Sequence, residues 1–177
     1  METFFYSKLI PIQNNTIIYK VDTYLFITGP LGKDCLTFPS SIFFEKTNHG
    51  CRLFGVVENK NLVLTYFKLL SNKLKGVSLG FFEILIINGV GWRVSVQNNV
   101  LFFSLGYSHL LKYPLPDNIE IILYNKQRFK VFGLDLSTVQ QVVADLCRLR
   151  SFNVYKGKGI YKEGQIFKLK ESSKSRA

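Results

Sequence analysis

Hydrophobic and polar residues alternate in short runs through the first third of the chain, which is the pattern of half-buried strands. Residues 17–19 and 24–28 form one pair of such runs, joined by a tight turn. A second pair follows at 42–45 and 51–57, with its turn expected at the Asn-His-Gly sequence of residues 48–50. The first third is therefore predicted to contain two hairpins.

The period of the pattern changes at residues 59–74, where apolar residues recur at helical spacing. The residues on this apolar side are Val63, Phe67, Leu70 and Leu74. An amphipathic helix packed on the preceding strands is predicted. The glycine-rich segment 76–80 is expected to end the helix and to join it to the strand-like region after it.

The next region, from residue 82 to residue 105, is the most strand-like of the chain. Residues 82–87 are strongly apolar, and Trp92 begins a run in which apolar and polar residues alternate up to residue 96. The Asn-Asn pair at 98–99 is a turn signal before a further apolar run at 100–105. Three adjacent antiparallel strands are predicted.

Residues 120–133 repeat the plan of residues 16–29, with a pair of isoleucines, an alternating run and a closing glycine. A last helix is predicted at 137–148, with Ser137 as its N-cap. Its predicted buried stripe consists of Val139, Val142, Val143 and Leu146.

These elements predict an α+β fold of two tandem modules, each an antiparallel or mixed sheet packed with one helix. The expected boundaries are 1–76 for the first module and 77–150 for the second. Residues 151–177 are expected to form a basic C-terminal extension. The similar layout of the two modules suggests an old duplication.

The chain carries a large positive charge. Its 23 Lys and Arg residues against 12 Asp and Glu residues give a formal net charge of +11. Of this excess, +5 lies in residues 151–177, where the hydrophobic pattern fades. Such an excess favours a polyanionic partner, with nucleic acid as the first candidate and an anionic membrane surface as the second.

Little in the sequence points to metal, cofactor, disulfide or membrane chemistry. Cys35, Cys51 and Cys147 are far apart and form no Cys-x-x-Cys pair, so neither a disulfide framework nor a zinc site is predicted. His49 is interpreted as a turn residue, because no third ligand accompanies it and Cys51. No apolar run is long enough to span a membrane. We expect no cofactor, no metal and no membrane insertion.

Two glycine-containing segments fail as nucleotide-binding loops. Gly89 and Gly91 follow a strand, but the dinucleotide-binding fingerprint requires glycine where Val94 stands. Gly164 lies at P-loop spacing but is followed by Gln165 instead of lysine. The histidines and carboxylates are scattered without the spacing of a nucleophile and its base. The chain is predicted not to be an enzyme.

The strongest binding candidate is the Tyr-Lys-Gly-Lys-Gly sequence at residues 155–159. Its lysines carry charge on a backbone that the glycines allow close to phosphates, and its tyrosine offers a ring for stacking. Read alone, an exposed flexible tail explains the segment equally well. The candidate residues here are Tyr155, Lys156, Gly157, Lys158 and Gly159.

Further candidates lie at the predicted ends of strands and of the last helix. Trp92 is interpreted as a core residue, whereas the cationic, aromatic and polar residues around it are binding candidates. These candidates are Arg93, Tyr107, Ser108, His109, Arg148 and Arg150.

Several of these segments together resemble the bacterial and organellar form of ribosomal protein six of the large subunit. They are GVSLGF at 76–81, NGVGWR at 88–93, LGYSH at 105–109, Gly-Leu-Asp at 133–135 before a Val-Gln-Gln helix, and YKGKGI at 155–160. The likeness runs in order from about residue 76 to residue 163. The sequence departs from the family pattern at Trp92, at Leu110 and at Phe152-Asn153-Val154, where the family usually has Tyr, Pro and Pro-Glu-Pro.

The resemblance implies two tandem α+β modules, of which the second binds large-subunit ribosomal RNA near the sarcin-ricin loop and the elongation-factor site. It implies neighbouring large-subunit ribosomal proteins as partners, with elongation factors nearby. It places residues 107–109 and 155–162 at the RNA, which adds Lys162 to the candidate residues. A free RNA-binding or RNA-chaperone module outside any ribosome is the alternative.

The composition bears on the compartment. Phe occurs 16 times and Ala only at Ala144 and Ala177, a bias that A/T-rich coding DNA would produce. An organellar genome has this property, so the expected location is the mitochondrial ribosome. A plastid or the cytoplasm of a bacterium is the alternative.

Overall fold

The computed structural model describes residues 5–11, 16–47 and 50–171. Within these ranges the chain divides into two compact units. The first contains the residues up to Gly80 together with Leu134–Leu136, and the second contains Phe81–Gly133 and the residues from Ser137 onward. In each unit antiparallel sheets share a hydrophobic core with one helix, as the sequence predicts.

The first unit contains six described strands and one α-helix. They are β1 (Phe5–Ile10), β2 (Ile17–Val21), β3 (Tyr24–Gly29), β4 (Gly32–Thr37), β5 (Ile42–Thr47), β6 (Gly50–Val56) and α1 (Lys60–Leu79). The strands form two antiparallel sheets, in the orders β1-β6-β5 and β2-β3-β4. Leu25, Ile27 and Leu53 of the sheets are fully buried with Val63 and Leu70 of α1.

Both hairpins predicted in the first unit are present. The β2–β3 turn contains Asp22 with a positive φ of 51°, and β5 pairs with β6. Residues 48 and 49 of the second predicted turn, including His49, lie outside the described residues. The strands β1 and β4 were not predicted, because Ile10 and Leu36 are the only buried residues among their described side chains.

The helix α1 is longer than the sequence predicts. It continues through Gly76 to Leu79, and Gly80 ends it with a positive φ of 73°. The prediction that residues 76–80 join the helix to the next strand is therefore wrong for residues 76–79, which are helical, and holds only for Gly80. A glycine inside a helix costs only about 1 kcal/mol, and the burial of Val77 offsets that cost.

The second unit contains seven strands and one helix. They are β7 (Phe81–Asn88), β8 (Arg93–Gln97), β9 (Val100–Ser104), β10 (Leu111–Pro114), β11 (Ile119–Leu123), β12 (Arg128–Gly133), α2 (Leu136–Leu149) and β13 (Gly159–Lys162). The strands form two antiparallel sheets, in the orders β11-β12-β7-β13 and β10-β9-β8. Phe103 and Phe129 are fully buried between these elements, and Trp92 is 9% exposed, as predicted for a core residue.

Two predicted strand relationships are wrong. β7 does not pair with β8; its partners are β12 and β13, and β10 is the third strand beside β8 and β9. In each unit the first, fifth and sixth strands belong to one sheet, and the second, third and fourth strands form the other. The β11–β12 hairpin therefore corresponds in topology to β5–β6, whereas the sequence comparison matched it to β2–β3. Alternation identifies a strand but not its partner.

The stripe predicted for α2 is confirmed: its buried residues are Val139, Val142, Val143 and Leu146. The predicted N-cap is wrong, because the helix begins at Leu136 and Ser137 lies inside its first turn. Asp135 stands directly before the helix.

The segment after α2 also differs from the prediction. β13 pairs antiparallel with β7, with Gly159 opposite Asn88 and Lys162 opposite Leu85. Ile160 is 2% exposed and belongs to the core. The first part of the extension predicted from residue 151 therefore joins the sheet of the second unit through β13, which ends at Lys162. Its lysines and glycines interrupt the alternation of apolar and polar residues, so the sequence pattern does not predict this strand.

Gly159 is expected to be the most sensitive glycine of this segment. Its φ is 152°, and a Cβ atom there would meet the backbone nitrogen of Phe152 at 2.7 Å. Replacing Gly159 with Ala should lower the free energy of unfolding by about 3 kcal/mol. Urea denaturation followed by the fluorescence of Trp92, the single tryptophan, measures this in the second unit.

Gly164 supplies the matched control, because its φ is 82° but a Cβ atom there would meet nothing within 4 Å. The Gly164→Ala change should cost only about 1 kcal/mol, the penalty of the backbone conformation alone. Equal losses for the two variants would contradict the close approach at Gly159.

Candidate nucleic-acid interface

Residues 153–158 form a closed turn, here called the lysine hairpin. The backbone N–H of Asn153 donates to the carbonyl of Lys158 at 2.8 Å, and the N–H of Gly157 donates to the carbonyl of Asn153 at 2.8 Å. The side-chain oxygen of Asn153 accepts from the N–H groups of Tyr155 and Lys156, at 2.9 and 3.1 Å. One asparagine thus makes four hydrogen bonds that fix the backbone carrying the lysines.

The lysine hairpin is joined to the sheet at both ends. The side-chain amide of Asn88 in β7 donates to the carbonyl of Gly157 at 2.7 Å, and Gly157 itself has a positive φ of 63°. Beyond the hairpin, the N–H of Ile160 donates to the carbonyl of Arg150 at 2.9 Å. The turn is therefore a hydrogen-bonded part of the second unit.

An aromatic cluster supports the base of the lysine hairpin. The ring of Phe152 stacks on that of Phe167 at 3.9 Å between centroids, and Tyr161 lies edge-on to both, at 5.3 and 5.5 Å. The chain after β13 turns back, so that the N–H of Lys170 donates to the carbonyl of Val154 at 3.1 Å. This hydrogen bond holds the hairpin independently of Asn88.

Beside the hairpin lies a cavity of about 390 Å³, here called the basic cavity. Four cationic and three aromatic side chains line it, together with the chain that connects α2 to the hairpin. The lining residues are Trp92, Tyr107, Arg148, Leu149, Arg150, Ser151, Phe152, Asn153, Lys156 and Lys158.

Arg150 lies over two of the aromatic rings that line the basic cavity. Its guanidinium carbon is 4.6 Å from the ring centroid of Tyr107 and 5.5 Å from that of Trp92, which are favourable cation–π distances. Tyr107 is held in place by its hydroxyl, which donates to the carbonyl of Leu149 at 3.3 Å. Trp92 is wedged against Gly106, where a Cβ atom would meet its indole nitrogen at 2.9 Å.

The cations of the basic cavity have little acidic compensation. Among the described residues, Asp145 is the one carboxylate that pairs with any of them, at 3.4 Å from Arg148. Asp145 also accepts a hydrogen bond from the Tyr113 hydroxyl at 3.4 Å, and burial together with that carboxylate raises the pKa of Tyr113. Lys156 and Lys158 are exposed at the rim. The cavity therefore has a positive potential that suits an anion.

Most of the residues predicted from the sequence lie in one place. Tyr107, Arg148, Arg150, Lys156 and Lys158 line the basic cavity. The lysine hairpin and its border with β13 contain the other three residues of the Tyr-Lys-Gly-Lys-Gly sequence, Tyr155, Gly157 and Gly159, and Tyr155 is 60% exposed. Ser108 and His109 are exposed next to Tyr107, and the His109 ring is 6.3 Å from the Tyr107 ring.

Two predicted residues lie elsewhere. Arg93, at the start of β8, is exposed beside a separate surface depression that it lines with Lys126. Lys162 is half-buried, and its ammonium donates to the side chain of Gln140 at 2.7 Å and lies 4.0 Å from Glu83. The geometry gives Lys162 an internal role, and its contact with phosphate remains a sequence-based prediction.

Sequence reasoning missed Asn153, which organises the lysine hairpin. An asparagine just before a Lys/Gly run is a turn signal, because its side chain accepts from backbone N–H groups two and three residues on. No sequence pattern predicts the aromatic contacts of Phe152, since its partners Tyr161 and Phe167 lie beyond the hairpin in the sequence.

The described residues contain no group of His, Cys, Asp and Glu that could hold a metal ion. Neither of their two α-helices has the length and apolar character that crossing a bilayer requires. The chemistry of this site is therefore that of charge, hydrogen bonding and stacking.

Comparison with known proteins identifies the segment that carries this site. The family model described as ribosomal protein L6 matches residues 88–163, which run from the end of β7 through the lysine hairpin and β13.

Individual relatives match nearly the whole chain. The large ribosomal subunit protein uL6 of Thermosipho melanesiensis is 39% identical over 96% of this chain and 97% of its own. The protein uL6c of Pyropia yezoensis is 37% identical over 93% of both chains, and uL6 of Chlorobium phaeobacteroides is 33% identical over 92% of both. Relatives such as these are bacterial and plastid proteins and do not support the predicted mitochondrial location.

The resemblance seen in the sequence is confirmed by these matches. They extend it from the second unit, where the motifs lie, to the first, where only the layout of strands and helix was similar. The chain belongs to the ribosomal protein L6 (uL6) family.

Proposed function

We propose that this chain is a structural constituent of the large ribosomal subunit and binds large-subunit ribosomal RNA through its second unit. The observation that carries the proposal is that the two lysines of the lysine hairpin and two arginines line one cavity, with a single carboxylate partner among the described residues. Family membership supports the ribosomal setting, since the relatives are named as large-subunit proteins.

The proposed contact works mainly through phosphates. Lys156 and Lys158 are exposed on a backbone that is already hydrogen-bonded, so they meet an RNA strand at a fixed spacing. Arg148 and Arg150 add charge from the end of α2. Because folded RNA is recognised largely by the positions of its phosphates and 2′-hydroxyls, this arrangement reads shape more than sequence.

The protein is not an enzyme, in keeping with its family, whose members are structural proteins. His109, the one histidine among the described residues, contacts the Tyr107 ring.

The position of the chain within the ribosome, and the compartment of that ribosome, are inferred from the family resemblance and from composition. It puts the second unit near the sarcin-ricin loop, with neighbouring ribosomal proteins and elongation factors close by. The phenylalanine-rich, alanine-poor composition favours an A/T-rich genome. The bacterial and plastid relatives favour a bacterial or plastid ribosome. The mitochondrial alternative is supported by composition alone.

A first test is sedimentation of the tagged chain, expressed in a bacterium whose own copy of the protein has been depleted. Fractionated on a sucrose gradient at low magnesium, the chain should travel with the large subunit and be absent from the small one. Recovery only in the soluble fractions at the top would identify a free RNA-binding module and refute the ribosomal assignment.

A second test changes the charge of the lysine hairpin. The double change Lys156→Glu and Lys158→Glu should weaken binding to folded large-subunit RNA and make the slope of log K against log salt shallower by about 2, because two phosphate contacts are lost. Filter binding at several salt concentrations measures both quantities.

The matched control is the double change Lys20→Glu and Lys33→Glu, which alters net charge equally at exposed positions of the first unit. It should leave the slope nearly unchanged. Identical effects of the two double variants would show that only net charge matters and would remove the hairpin from the interface.

A further inference from the structure

The basic cavity is larger than a phosphate group requires. Its volume of about 390 Å³ lies in the range of pockets that enclose small organic ligands, roughly 300–1,000 Å³. A site that only followed the RNA backbone would need exposed cations and no concave space beside them. The cavity combines such cations with aromatic side chains, among them Trp92 and Tyr107, which a phosphate does not use.

The arrangement around Arg150 is that of a stacking platform. Its half-buried guanidinium lies over both rings, at 4.6 and 5.5 Å, and this contact fixes a planar cation in the cavity wall. A guanidinium plane and an aromatic ring are the surfaces on which proteins stack unpaired bases. Tyr107 keeps 43% of its surface exposed while its hydroxyl is bound to Leu149.

The charges lie where the rest of a nucleotide would be. Lys156 and Lys158 stand at the rim of the cavity, and Arg148 completes the cationic set. A base against Arg150 and Tyr107 would leave its phosphate at these ammonium groups. A base within an A-form duplex cannot enter, because it stays stacked and paired.

We propose that the basic cavity binds one unpaired nucleotide of the RNA, with its base on Arg150 and Tyr107 and its phosphate on Lys156 and Lys158. This rests on the proposed RNA-binding function and adds to it a requirement for an extruded or single-stranded nucleotide at the contact.

The test uses the full chain and two synthetic probes of equal charge. One is an eight-nucleotide oligouridylate, whose bases are largely unstacked, and the other is an abasic ribose-phosphate chain of the same length. Trp92 is the only tryptophan and lines the cavity, so its fluorescence reports occupancy there. We expect the oligouridylate to bind about tenfold more tightly than the abasic chain and to quench Trp92, because one base stacks in the cavity.

The variants separate stacking from charge. Arg150→Lys keeps the charge but removes the planar cation, so it should abolish the preference for oligouridylate over the abasic chain. Lys156→Gln should weaken the binding of both probes and preserve the preference. The urea midpoint of each variant, compared with that of the unmodified chain, shows that the second unit remains folded.

Three outcomes decide between the proposals. A preference for oligouridylate that disappears with Arg150→Lys supports the nucleotide site. Equal affinity for the two probes, with folded large-subunit RNA still bound, overturns the nucleotide site and leaves the proposed function standing. Failure of the chain to bind folded large-subunit RNA at all overturns both.

Discussion

The site depends on the pairing of β13 with β7. This pairing brings the backbone at Gly159 close to that of Phe152. A side chain at Gly159 would meet the backbone of Phe152, so the chain entering the lysine hairpin and the chain leaving it lie against each other only because residue 159 has no Cβ atom. The same strand buries Ile160 in the core. Folding of the second unit therefore fixes both ends of the hairpin.

The physical consequence is that the folding of the protein itself orders the charges of the lysine hairpin. Fixing the backbone of a residue costs about 1–2 kcal/mol, and a six-residue basic tail would meet that cost at the moment of binding. In this protein the hydrogen bonds of Asn153 and Asn88 fix residues 153–158 during folding. The attraction between lysines and phosphates then contributes more fully to affinity.

The sequence predicted the elements better than their arrangement. Hairpins such as β2–β3 and the stripe of α2 follow from local periodicity, and the resemblance carried by residues 155–160 identified the site. The pairing of β7 with β12 and β13 could not be predicted, because partners 42 to 77 residues apart are chosen by packing. The basic cavity could not be predicted for the same reason: Trp92, Tyr107 and Arg150 belong to three separate segments and meet only after those segments fold together.

The central claim is that the lysine hairpin is formed in the free protein, and amide hydrogen exchange tests it most directly. The N–H groups of Tyr155, Lys156 and Gly157 are donated to Asn153. Measured by NMR without RNA, they should exchange at least about tenfold more slowly than in a peptide of residues 151–160, which lacks β7. Exchange at the peptide rate, with protection appearing only after RNA is added, would contradict the account.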